Sequence, residues 1–113
     1  MYQIRRYLTL TTLYKTLEIL NKAYLLEGYE DFSKNYADRN GGWLSYQLHK
    51  KRDFGVETAI NALRYIRELK TFYLGRRSKV GAIVDDNIEA LEQADLLIQA
   101  HLEDRYGILK IRQ

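Results

Sequence analysis

The chain contains no proline in its 113 residues. Proline ends or kinks helices because it lacks an N–H and clashes with the carbonyl one turn back. Without it long helices can run on, while turn-rich β architectures lose their usual punctuation. Apolar residues recur at helical spacing in three stretches, so the fold class follows from periodicity. The first stretch runs Leu10, Leu13, Tyr14, Leu17, Leu20 and Tyr24 and predicts a helix over 4–27, stopped by Gly28. Thr9, Thr11 and Thr12 weaken its beginning and place an alternative start near Thr12.

The second stretch carries Val56, Ala59, Ile60, Leu63, Ile66, Leu69 and Tyr73 on one side, with Asp53 as the expected N-cap and Gly75 as the expected stop. The third carries Val84, Ile88, Leu91, Ile98 and Leu102, has Asp86 and Glu89 spaced as a capping box, and ends at Gly107. Between the first two lie a polar, aromatic segment over 29–42 with room for one short helix, and a stretch from Trp43 to Arg52 that is a separate helix or the beginning of the next. Strict alternation is nowhere sustained. The expectation is one all-α domain over 1–113, an antiparallel helical bundle of three long helices plus one or two short helices.

Composition supports a folded, single-core chain, since 46% of residues are hydrophobic and the net charge is only +3. Cysteine is absent. That removes disulfides, thiolate nucleophiles and cysteine-ligated metals together. Arg5 and Arg6 lead into Tyr7-Leu8-Thr9-Leu10-Thr11-Thr12, which is too polar for a secretory signal core, and no apolar run is long enough to span a bilayer. The expected location is cytoplasmic, with no membrane partner.

The charge is unevenly placed. Residues 1–81 hold fifteen Lys or Arg against eight Asp or Glu, whereas 82–104 hold seven acids and no base. Phosphates repel so acidic a helix, which rules it out as a recognition helix for DNA. The acids at the beginning of that helix suit its positive end, and the acidic face equally suits a basic face on another subunit.

Three basic clusters stand beside aromatic rings: Arg5 and Arg6 with Tyr7, His49-Lys50-Lys51-Arg52 with Tyr46, and Arg76, Arg77 and Lys79 with Tyr73. Cations neutralise phosphates and rings stack on unpaired bases, so Arg5, Arg6, Lys50, Lys51, Arg52, Arg76, Arg77 and Lys79 are candidate contacts to single-stranded nucleic acid. Trp43, after two glycines, fits either the end of the core or a binding anchor.

Chemistry finds little purchase. His49 and His101 stand apart from any metal-ligand spacing, no phosphate-binding glycine loop or serine-nucleophile motif occurs, and the short arginine-to-histidine spacing of small helical ribonucleases is missing. Asp85, Glu89 and Glu92 share one helical face, but a single helix supplies too few ligands for a cation. No cofactor or metal is expected, and an enzyme ranks third among the readings. The first is a non-enzymatic helical module that binds a protein or a second copy of itself, with Trp43, Ile108, Leu109 and Ile111 as candidate contacts. The second is a nucleic-acid-binding subunit.

Overall fold

The computed structural model of the protein describes residues 11–108, and Arg5, Arg6, Leu109 and Ile111 lie outside that range. In chain order the elements are α1 (Thr12–Lys22), α2 (Tyr29–Asp31) widening into a π-type segment (Phe32–Tyr36), α3 (Trp43–His49), α4 (Val56–Val80), a 3₁₀ segment (Gly81–Val84) and α5 (Asp85–Tyr106). The described residues are all-helical, without a strand.

From Val56 to Tyr106 every residue is helical, yet the run folds back on itself. Gly81 adopts φ +74°, a left-handed value that glycine reaches at least cost, and reverses the chain. The pairs Arg67–Asp95, Lys70–Glu92 and Arg77–Asp85 then face one another in antiparallel order. α1 lies along α5, also antiparallel: Asn87 near the beginning of α5 donates to the Ala23 carbonyl after the end of α1.

Two expectations change here. The described residues hold two long helices, of 25 and 22 residues, and α1 has only eleven. α1 ends early because Tyr24 turns left-handed at φ 59°, so this predicted core residue is 93% exposed. α4, in turn, runs through Gly75 and stops only at Gly81. A helical glycine costs about 1 kcal/mol relative to alanine, too little to end a helix whose neighbours favour it.

The core joins Leu13, Leu17 and Leu20 of α1 to Ala59, Ala62, Leu63 and Ile66 of α4 and to Leu91, Ala94, Ile98 and Leu102 of α5. Small alanines among these core positions leave room for the helices to pack. Phe32, Tyr36, Leu44 and Phe54 close one end of this core. Rings run through that end in succession, Tyr65 to Tyr36 to Phe32 to Phe54 to His101 to Tyr106, with neighbouring centroids 4.6–6.2 Å apart. Trp43 branches from Phe32 at 6.4 Å and is half-buried against the core.

Candidate functional site

Helix termini leave unpaired N–H groups, and two helices here satisfy them with side chains from elsewhere in the chain, a third with a local one. At α1, Thr11 caps the Tyr14 N–H, but the Thr12 and Leu13 N–H groups donate to the carboxylate of Asp53 at 2.9 and 2.8 Å. At α3 the Leu44 N–H donates to the buried hydroxyl of Ser33. At α4 the cap is Gly55, whose N–H donates to Thr58 Oγ1. Asp53 therefore does not cap the helix that follows it, as its position in sequence implied. It caps α1, some forty residues earlier, and also accepts from the Phe54 N–H at 2.8 Å.

Around Asp53 the chain forms a joint. The Phe54 carbonyl accepts from Tyr106 Oη at 3.0 Å and lies 3.0 Å from His101 Nε2. Gln47 donates to the Asp53 carbonyl. His101 Nδ1 faces Asp53 Oδ2 at 3.7 Å. His101 is 4% exposed, although it is not one of the stripe residues Val84, Ile88, Leu91, Ile98 and Leu102. The reason is that α5 is covered on two sides, by α4 and by α1 with its capping loop, so its buried arc is wider than a single-sided stripe.

Beside this joint lies an open cleft of about 580 Å³, lined by Thr11, Gln47, Lys51–Gly55, Arg105 and Tyr106. Two of the predicted cations, Lys51 and Arg52, are on its wall, and Arg105 of α5 joins them, which sequence reasoning missed because 53 positions separate it from Arg52. Lys50 Nζ and Arg52 Cζ stand 5.8 and 5.7 Å from the Tyr46 ring centroid, within cation–π range.

The other predicted cluster is remote. Arg76, Arg77 and Lys79 lie in the last turns of α4. That helix is 25 residues long, so they stand about 35 Å from the cleft by helical rise. Residues 74–83 are exposed without interruption, because the hairpin projects past the end of α1. This tip shows Phe72 (57% exposed), Leu74, Val80 and Ile83 (78%) among its cations. Arg77 donates to Asp85 from Nε and one terminal guanidinium nitrogen, which holds the Asp85 carboxyl below the usual carboxylate range.

Along α5 the exposed face is acidic. Asp86, Glu89, Gln93, Leu96, Ala100 and Glu103 follow one another at intervals of three and four and are all exposed, with Leu96 at 68%. Of the acids considered for a cation, Asp85 pairs with Arg77 and Glu92 with Lys70, and among the described residues no group of three or more ligating side chains could hold a metal ion. No described helix is long and apolar enough to cross a membrane.

Of the candidate partner contacts, Trp43 and Ile108 turn inward: both pack against the core, Ile108 through a left-handed Gly107 that brings its N–H to the Leu102 carbonyl. Compared with protein-family models, with curated proteins and with solved structures, the chain matches none.

Proposed function

We propose that this chain is a helical binding module that acts through protein contacts, its first partner being a second copy of itself. The observation that carries the reading is the projecting hairpin tip, where the side chains of Phe72, Leu74, Val80 and Ile83 are exposed among the described residues. Burying such side chains contributes about 1.5–3 kcal/mol each, and apolar groups gathered in one place mark contact surfaces.

Charge complementarity argues for a like partner. The tip is basic through Arg76 and Lys79, and the exposed face of α5 is acidic through Asp86, Glu89 and Glu103 with Leu96 and Ala100 between them. Basic-apolar tip against acidic-apolar face gives an oriented contact from one sequence. A nucleic-acid reading that uses all the predicted basic residues at once is less economical, since the cations of the cleft and of the tip stand at opposite ends of α4.

The test is sedimentation velocity over a wide concentration range at low and high salt. Self-association that weakens with salt and is lost in Ile83→Asp and Leu96→Asp, with helical content retained, supports the reading. A monomer at every concentration overturns it.

A further inference from the structure

We propose that the cleft beside the Asp53 joint binds a phosphate-bearing ligand of nucleotide size. The proposal stands on different residues from the hairpin contact and survives or fails independently of it.

The cleft measures about 580 Å³, inside the range of roughly 300–1,000 Å³ typical of small-molecule sites. Three of its lining residues are cations, Lys51, Arg52 and Arg105, drawn from the α3–α4 loop and the end of α5. Its one lining acid is Asp53, and both carboxylate oxygens of Asp53 already accept backbone N–H groups at the beginning of α1 and at Phe54. The acid is thus matched from behind, and the positive field of the wall is left to the cleft.

Among the described residues three arginines are paired: Arg39, Arg67 and Arg77 each meet a carboxylate. Arg52 and Arg105 belong with Arg64 and Arg76 to those that make no ion pair among the described residues, and of these four only Arg52 and Arg105 line the cleft. Arg52 is instead set against the Tyr46 ring. Two guanidinium forks, Arg52 from the α3–α4 loop and Arg105 from the end of α5, line the same cleft and match the several oxygens of a phosphate. The half-exposed ring of Tyr106 supplies an aromatic wall for the group that the phosphate carries.

Isothermal titration calorimetry on the full chain at about 50 mM salt, where surface charges are only partly screened, tests this with adenosine 5′-monophosphate, adenosine and inorganic phosphate. The monophosphate is expected to bind and adenosine not to bind. Arg105→Glu is expected to weaken binding about tenfold or more, Arg52→Gln severalfold, and Arg76→Glu at the far end of α4 not at all. Arg105 is exposed, so circular dichroism of its variant is expected to match the parent. A second arm compares short oligonucleotides with and without a 5′-phosphate. Tighter binding of the phosphorylated strand than of the monophosphate assigns the phosphate to a polymer end, and equal or weaker binding assigns it to a free nucleotide. Equal binding of adenosine and its monophosphate, no heat with any phosphate probe, or an equal loss in Arg76→Glu and Arg105→Glu would overturn the proposal.

Discussion

His101 Nε2 stands 3.0 Å from the carbonyl oxygen of Phe54, 47 positions earlier in the chain. A carbonyl only accepts, so this ring nitrogen carries the hydrogen, and the other nitrogen is turned toward Asp53. Tyr106 donates to the same oxygen. Through one loop of two residues, Asp53 and Phe54, the end of α5 and the beginning of α1 are held together.

Asp53 is therefore the most consequential polar residue of the fold. Asp53→Ala strips an acceptor from the N–H groups of Thr12, Leu13 and Phe54 and is expected to cost about 2–3 kcal/mol, with Asp53→Asn losing roughly half as much. Urea unfolding followed by circular dichroism reads this as a lowered midpoint at an unchanged slope. A midpoint within error of the parent for Asp53→Ala would remove the joint from the account of stability.

Alkaline stability hinges on Tyr36. Its hydroxyl donates to the Leu25 carbonyl at 2.7 Å, and burial, reinforced by Asp31, Tyr65 and Tyr73, pushes its phenol far above the ordinary tyrosine range. An unfolded tyrosine ionises near pH ~10. The stability that comes from keeping the phenol neutral is complete below that pH and is lost as pH rises toward the elevated folded value. Urea midpoints are expected to hold up to about pH 9 and to fall above about pH 10. In Tyr36→Phe the fall is shallower, its remainder coming from Tyr65, whose phenol burial also raises.

The glycines separate by backbone angle. Gly75 is mid-helix, away from the left-handed region, and an added Cβ would meet nothing within 4 Å, whereas Gly107 sits at φ +70°. Gly75→Ala is expected to stabilise by about 0.5–1 kcal/mol and Gly107→Ala to destabilise by about 1–2 kcal/mol. Thermal melts of the two variants should move in opposite directions.

Thr16 offers a further gain. It is fully buried in α1, and its hydroxyl has no hydrogen-bond partner among the described residues. Thr16→Val keeps the shape and removes an unsatisfied polar group, so it is expected to stabilise by about 1 kcal/mol. A lowered melting temperature would mean that the hydroxyl is satisfied after all.

The main apolar stripe of α5 and its stop were legible before the structure. Val84, Ile88, Leu91, Ile98 and Leu102 are all buried, and α5 ends at Gly107 as its left-handed cap requires. The alternative start near Thr12 is where α1 begins, but the caps were not legible, because Asp53 and Ser33 cap helices that are distant in sequence and local capping rules look only at the next turn. Gly75 misled because a cost of about 1 kcal/mol is outweighed when the surrounding residues all favour helix. In the candidate cleft, Lys51 and Arg52 were visible as a basic run. Arg105 was not, since only the hairpin and the joint at Phe54 bring the end of α5 to the α3–α4 loop.

The borrowed cap also decides how the molecule assembles. α1 has eleven residues, no acid in its first turn, and a carboxylate cap that arrives only with the α3–α4 loop. A segment this short is marginal as a helix in water, because nucleation outweighs the few bonds it makes. The hairpin of α4 and α5, by contrast, closes through contacts between neighbours in sequence and is the natural element to form early. On this argument α1 becomes a helix in the act of docking, so its order reports on the completed fold, and a peptide of residues 11–22 on its own is expected to be a coil by circular dichroism.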